Sequence, residues 1–187
     1  MNGLKFLKEY ITKPRTVGAV WPSSKYLAKK MIANVDFAKA KYIVEYGPGT
    51  GVFTDKILQA RNSDTVVLLI ENNQEFYSQL VEKYKTYPNL HIEHGSAADI
   101  EIYLKKYNLP HTDYIISGLP FASLPQEVST KILAETKKHL APGGRFITFQ
   151  YTLLKKGFFE QYFGKIEIKR ELRNIPPAYI LTCKADV

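Results

Sequence analysis

Cysteine is almost absent from this sequence, since Cys183 is the sole cysteine among 187 residues. One thiol cannot form an internal disulfide, and it excludes a cysteine-rich metal site, so no metal ligands are predicted. The sequence also lacks an apolar run long enough to span a bilayer, and its first residues lack the pattern of a cleaved signal peptide. These absences predict a protein of a reducing compartment, the cytoplasm by default.

Acidic side chains are scarce relative to basic ones. Lysine and arginine number 26 against 18 aspartates and glutamates, which gives a formal net charge of +8 at pH 7. Such a charge favours an anionic partner, either nucleic acid or an acidic membrane surface, without choosing between them. No internal repeat, low-complexity tract or linker divides the sequence. We therefore predict a single domain over residues 1–187.

Strand-like and helix-like stretches alternate along most of the chain. Buried strands are predicted at residues 41–45, 65–70, 90–94, 114–117 and 145–149. Helices are predicted between them at residues 52–60, 74–84, 99–107 and 126–140. Two later stretches, 166–172 and 179–183, have the pattern of an antiparallel pair. The sequence thus predicts an α/β, Rossmann-like fold, with a mostly parallel seven-stranded sheet and an antiparallel C-terminal strand pair.

A glycine-rich loop, residues 45–51, follows the first predicted strand. Gly47, Gly49 and Gly51 let the backbone turn sharply and approach a ligand without an intervening Cβ. Their spacing differs from the dinucleotide fingerprint Gly-x-Gly-x-x-Gly and lacks its phosphate cradle. S-adenosylmethionine (SAM) has no phosphate but carries a sulfonium and an ammonium, which the Glu45 carboxylate would attract. The loop therefore predicts a SAM site, the alternative being a turn that merely joins strand to helix.

Two further strand ends complete the predicted cofactor site. Glu71 follows the second strand and is placed to accept hydrogen bonds from both ribose hydroxyls, with Asn72 beside it. Taken alone, Glu71 is more typical of a solvated carboxylate at a strand end than of a ligand. After the third strand, Ser96 and Ala97 offer a small side chain and a backbone N–H to the adenine edge. Asp99 is expected to cap the following helix.

Four motifs together resemble the bacterial phospholipid N-methyltransferases: residues 18–24, 44–51, 117–120 and 174–178. The resemblance covers nearly the whole chain. It implies a class I SAM-dependent methyltransferase that methylates the amine of phosphatidylethanolamine, in some members as far as phosphatidylcholine. A protein acting on such a lipid is expected at the inner face of the membrane, peripherally associated with an anionic surface.

The sequence is also similar to the ribosomal RNA adenine dimethylases. Those enzymes place Asn-Leu-Pro-Tyr after the fourth strand, where this chain has Gly118, Leu119, Pro120 and Phe121. Phe121 could still stack a base. The asparagine that would accept a hydrogen bond from the adenine amine is missing, however, and the amine N–H would therefore be unpaired. The sequence also stops just after its last strand, where those enzymes append a helical RNA-binding domain.

The N-terminal segment has an amphipathic pattern at about 100° per residue. One side carries apolar and aromatic residues, namely Leu4, Phe6, Leu7, Tyr10 and Ile11. Lysines on the other side are typical of a helix in an anionic membrane interface. The alternative is a helix packed on the sheet, or a lid over the cofactor, within an extension of residues 1–35. Ser23 or Ser24 is expected to cap a helix over residues 25–32.

Methyl transfer by in-line displacement depends chiefly on positioning the two reactants. We predict that the amine is oriented by Ser117 and by the carbonyls of Gly118 and Leu119. Ser117 is also assigned to the cofactor site. Phe121, with Trp21 or Tyr151 as further candidates, would offer π faces to the methylated ammonium, unless these rings simply pack. No histidine suits the role of base. Two other functions remain open: methylation of RNA, and SAM or membrane binding without catalysis.

Overall fold

The computed structural model describes residues 24–185. The strands are β1 (Tyr42–Tyr46), β2 (Val66–Glu71), β3 (Leu90–His94), β4 (Thr112–Ser117), β5 (Leu140–Gln150), β6 (Lys165–Glu171) and β7 (Ala178–Lys184). The helices are α1 (Lys25–Ile32), α2 (Val52–Ala60), α3 (Gln74–Tyr84), α4 (Ile100–Lys106), α5 (Gln126–His139) and α6 (Lys156–Glu160). A 3-10 turn, Ala97–Asp99, precedes α4.

The seven strands form one sheet in the order β3-β2-β1-β4-β5-β7-β6. β1 to β5 run parallel, whereas β7 runs antiparallel to both β5 and β6. The predicted α/β fold, with its antiparallel C-terminal pair, is thereby confirmed. The direction in which successive strands are added reverses between β1 and β4, and open α/β sheets bind ligands at such a point.

Helices cover both faces of the sheet, because the central strands are apolar on both sides. On one face Val44, Leu68, Ile115 and Phe146 pack against side chains of α4, α5 and α6. On the other face the alternating strand residues pack against α1, α2 and α3. Continuous apolar strands buried on both faces are typical of a parallel sheet.

Helix α1 is part of this core. Ser24 accepts a hydrogen bond from the Leu27 N–H at 3.1 Å, which confirms one of the two predicted caps. Leu27, Ala28 and Met31 are fully buried. The predicted extension of residues 1–35 therefore ends in a helix that packs on the sheet, whereas residues 1–23, including the amphipathic segment, Trp21 and Ser23, lie outside the described residues.

Two elements differ from the sequence prediction. Helix α6 was not predicted, and its five residues are too few to show a helical period. Strand β5 begins at Leu140 instead of residue 145, with an irregularity in its pairing to β4 between Thr112 and Tyr114. Within residues 24–185, no helix combines the length and the hydropathy needed to cross a bilayer.

Candidate active site

The glycine loop leaves β1 in a left-handed conformation that favours glycine. Gly49 has φ +56°, and a Cβ added there would meet no atom within 4 Å, so the loop is open to a ligand at this point. Gly51 has φ +82° and begins α2, and its added Cβ would lie 2.3 Å from the Tyr84 hydroxyl. Gly51 is therefore required by packing beneath the loop, and Gly49 is the position where a ligand can approach the backbone.

Glu71, at the end of β2, ties the loop to the next strand. One carboxylate oxygen accepts from the Gly49 N–H at 2.9 Å, and the other accepts from the Asn73 N–H at 2.9 Å. The side chain is nearly buried. A carboxylate offers about four lone-pair sites, so two remain for further donors. Asn72 is exposed next to it, and its main-chain carbonyl lies 3.2 Å from His94 Nε2.

Glu45 lies beneath the loop and is fully buried. Its Oε2 accepts from the Thr54 hydroxyl at 2.7 Å, whereas Oε1 has no hydrogen-bond partner among the described residues. Burial raises the pKa of Glu45 to about 8, the Thr54 hydrogen bond opposes this, and the charges of Glu71 and Asp55 add to it. A cation placed near the loop would stabilise the ionised form.

The exit of β3 presents small residues. Ser96 Oγ accepts from the Ala98 N–H at 3.1 Å and so caps the 3-10 turn, which buries Ala97. Asp99 does not cap α4 with its side chain, contrary to the prediction. Its carboxylate accepts from Lys131 Nζ at 2.9 Å instead, because α5 brings that lysine within reach.

The exits of β4 and β5, hereafter the acceptor side, meet the loop through backbone. Gly118 N–H donates to the Tyr46 carbonyl at 2.9 Å. A Cβ added at Gly118 would lie 2.7 Å from the Gly47 carbonyl oxygen. Since that neighbour is backbone, position 118 has no room for a side chain.

The polar groups predicted to orient an amine are mostly engaged already. Ser117 is fully buried and its Oγ accepts from the Leu119 N–H at 3.1 Å. The Leu119 carbonyl accepts from the Phe121 N–H at 3.1 Å and from Gln150 Nε2 at 3.3 Å. Ser117 and the Leu119 carbonyl therefore shape the turn, and their roles toward the amine and the cofactor stay predictions. The Gly118 carbonyl accepts no hydrogen bond from residues 24–185.

Phe121 is also placed differently from the prediction. Its ring is 1% exposed and packs edge-to-face on Phe159 and Phe146, with centroids 5.2 and 6.0 Å away. Aromatic packing in the core therefore replaces the expected contact with an ammonium. Tyr151 follows β5 and lies edge-on to Phe149 at 5.5 Å, nearer the acceptor side.

The described histidines lie away from the acceptor side. His91, in β3, stacks on Tyr107, and His94, the last residue of β3, packs against Tyr77. His111 precedes β4, and His139 ends α5 beside Glu135 at 3.3 Å, so both lie at the opposite edge of the sheet.

Glu101, Glu135 and His139 bring their ligand atoms within 4.8 Å of one another, as a metal site would. Lys105 and Lys138 pair with Glu101, so the negative charge of this group is already balanced.

Four polar residues of the site were missed from the sequence. The Thr54 hydroxyl donates to the carboxylate of Glu45, and the Asn73 N–H donates to that of Glu71. Tyr84 donates to the Gly51 carbonyl at 3.0 Å, and Gln150 reaches Leu119. A buried-strand pattern that ends in glutamine was a usable signal for Gln150. Tyr84 gave none, because its role depends on how α3 packs against the loop.

Comparison with known proteins identifies the family. A family model described as ribosomal RNA adenine dimethylase matches residues 17–172. The chain belongs to that family. Membership in the ribosomal RNA adenine dimethylase family makes it a SAM-dependent methyltransferase, and the prediction of SAM as cofactor is confirmed.

Individual relatives divide between lipid and RNA substrates. An ornithine lipid N-methyltransferase from Singulisphaera acidiphila is 28% identical over 96% of this chain and 94% of its own length. A ribosomal RNA small subunit methyltransferase A from Dehalococcoides mccartyi is 29% identical over 49% of this chain, and the match spans 31% of that protein. Both predicted relationships are thereby confirmed.

Solved structures agree with the fold. An O-methyltransferase from Bacillus cereus, in complex with SAH, superimposes with a TM-score of 0.69 at 12% identity. The match covers 98% of this chain and 91% of that one.

Proposed function

We propose that this protein transfers the methyl group of SAM to the amine of a membrane lipid, with phosphatidylethanolamine as the first candidate. The observation that carries the proposal is the lack of room for a Cβ at Gly118, next to the Gly47 carbonyl. At this position the similar adenine dimethylases place an asparagine, whose amide accepts from the adenine amine. A Cβ here would lie 2.7 Å from a backbone oxygen, so the loop cannot take that amide without moving.

The relatives support the same substrate class. The ornithine lipid N-methyltransferase matches this chain along nearly its whole length, whereas the ribosomal RNA methyltransferase from D. mccartyi matches over about a third of its own. Methylation of RNA is the second candidate, favoured by the family match and by the net charge of +8.

For the cofactor, we propose that Glu71 binds the ribose hydroxyls through its two free lone-pair sites. Gly49 would let the nucleoside approach the loop, with Asn72 beside it and the Ala97 N–H facing the adenine. Glu45 would balance the positive charge from below, through its Oε1 or an intervening water. These assignments fit the observed hydrogen bonds. Glu71 keeps lone pairs beyond its bond from the Gly49 N–H, and Glu45 Oε1 has no partner among the described residues.

SAM, when bound, supplies an electrophilic methyl carbon. We propose that the Gly118 carbonyl accepts one N–H of the lipid amine and so directs its lone pair. The nitrogen would form a bond to that methyl carbon as the carbon–sulfur bond breaks, and the surplus proton of the nitrogen would pass to water. A lipid ammonium must first be deprotonated, and the apolar side chain of Leu119, which is only partly buried, would favour the neutral amine beside it.

Incubation of the protein with labelled SAM and either total lipid or ribosomal RNA tests the proposal. We expect label in an amine-bearing lipid and none in RNA, and Gly118→Asn should lose activity without gaining RNA methylation. Gly144→Ala is the control, since its Cβ would crowd the Ala141 carbonyl at 2.8 Å, remote from the loop. Label in RNA alone, or in neither acceptor, would refute the proposed substrate.

A further inference from the structure

We propose that two loops beyond β5 and β6, residues 151–155 and 172–177, dock the protein on an anionic lipid bilayer. We call these two loops the rim. The inference rests on the proposed lipid substrate and adds the surface through which the enzyme would reach it.

The sheet register places the rim beside the acceptor side. Gln150 pairs with Tyr179 and Glu171 pairs with Ala178, so both loops emerge at the edge where β4 ends. β5 lies between β4 and β7, and strands are spaced by about 4.8 Å, so the exit of β4 lies roughly 10 Å from the rim. The hydrogen bond from Gln150 to Leu119 links the two directly.

The rim exposes several aliphatic side chains. Leu154 is 84% exposed, Leu172 is 63% exposed and Ile175 is 66% exposed, with Leu153 beside them at 36%. Single exposed apolar residues are ordinary, but several at one edge mark an interaction surface. This cluster borders the site where the proposed acceptor must arrive.

Positive charge surrounds these aliphatic residues. Lys25, Lys155 and Arg170 form no ion pair within the described chain, and the last two lie over aromatic rings at 5.6 and 5.4 Å. Lys25 begins α1, which is tied to the rim where the Ser24 N–H donates to Asn174 Oδ1 at 3.2 Å. Basic residues next to inserted aliphatic side chains are the combination that binds anionic membranes.

The chemistry of the rim favours lipid over RNA. Single-stranded RNA is recognised by aromatic stacking and by polar contacts to bases, which leucine and isoleucine cannot provide. Insertion into the boundary between head groups and acyl chains suits Leu154, Leu172 and Ile175. A bilayer in contact with the rim would present its head-group amines to Gly118 without extraction of the lipid.

Vesicle flotation of the full chain tests the rim, with vesicles of phosphatidylcholine alone and vesicles that also contain phosphatidylglycerol. The wild type should float with the anionic vesicles. The double variant Leu172→Ser, Ile175→Ser should bind them at least tenfold more weakly, since it removes two aliphatic side chains that would be buried in the bilayer. Ile102→Ser is the matched control, because Ile102 is 64% exposed on α4, away from the rim, and should float like the wild type.

The outcome is separable from that of the proposed function. Failure of the wild type to float, flotation of the rim variant like the wild type, or an equal loss in Ile102→Ser would each overturn the docking surface. So would a rim variant that loses affinity for ribosomal RNA and keeps its vesicle binding. Methylation of a short-chain, monomeric phosphatidylethanolamine tests catalysis without a bilayer, and the rim variant should retain it. If no lipid is methylated while only the rim variant stops floating, the proposed function fails and the docking surface stands.

Discussion

The two halves of the site are built by different means. On the cofactor side, the exits of β1, β2 and β3, buried carboxylates are joined to the backbone, as in the bonds of Glu71 to Gly49 and Asn73. On the acceptor side two glycine backbones touch, few polar groups are free, and aliphatic side chains lie exposed beyond. In the proposed function, the cofactor half would specify its ligand through fixed polar groups, whereas the acceptor half would set a shape and an entrance.

If the proposed assignment holds, this difference would explain how one family can serve unlike acceptors. Groups that would bind a nucleoside are fixed by loop geometry and by charge. On the proposed assignment, acceptor choice would depend on whether position 118 carries a side chain and on what surface adjoins it. The following substitutions are expected to separate these two halves, in order of decreasing effect.

Glu71→Ala should produce the largest loss on the cofactor side. Two hydrogen bonds to a charged group contribute about 3–6 kcal/mol, so SAM affinity should fall by at least roughly 100-fold in calorimetry. Glu93→Ala is the control, since Glu93 is a partly buried carboxylate of β3 held by Lys106. Equal losses in the two variants would mean that Glu71 acts through stability alone.

Gly49→Val should weaken SAM binding by about 10- to 100-fold, through strain and a branched side chain where the ligand must lie close. Gly143→Val carries a similar strain, because Gly143 has φ +75° and open space for a Cβ. Both variants should lose thermal stability, and only the first should lose SAM affinity. Unchanged affinity in Gly49→Val would refute the role of the loop.

Glu45 should couple SAM binding to pH. Because burial raises its pKa to about 8, the folded protein binds this proton more tightly than the unfolded chain does. Its contribution to stability is therefore complete below pH 4.5 and is lost as the pH rises through about 8. Binding of a cation below that pH should release the proton, which calorimetry in buffers of different ionisation heat detects. Glu45→Gln should abolish the release and reduce SAM affinity by about tenfold. Proton release that persists in Glu45→Gln would assign it to another group.

Gln150→Met should give the smallest effect and the most selective one. It removes the hydrogen bond to Leu119, worth about 1 kcal/mol, so kcat/KM for the lipid should fall by about fivefold with SAM affinity unchanged. Gln79→Met, at an exposed position on α3, serves as control. A parallel fall in SAM affinity would show that the two halves are coupled.

Local sequence patterns predicted most of the fold and the residues proposed for the cofactor half. The loop 45–51, Glu71 and the alternating tail are recognisable because spacing and strand-end position alone define them. Helix α6 and the early start of β5 were missed, since a five-residue helix has no period and Pro142 with two glycines resembles a stop.

The acceptor half depended on contacts between distant segments. The burial of Phe121 results from its packing on Phe159, and the engagement of the Leu119 carbonyl results from Gln150 on the next strand. Neither relation has a signature in sequence spacing. Exposure of Leu172 and Ile175 is likewise a property of the folded edge, since the same residues would be typical of a core.

The position of β7 between β5 and β6 has a consequence for biosynthesis. A chain that emerges from the ribosome can pair β1 to β5 as each strand appears, but β6 has no neighbour in the sheet until residues 178–184 follow. Domains begin folding from the N-terminus during translation. The exits of β1, β2 and β3 are therefore expected to take their final form first, and the rim to be completed only when β7 inserts between β5 and β6.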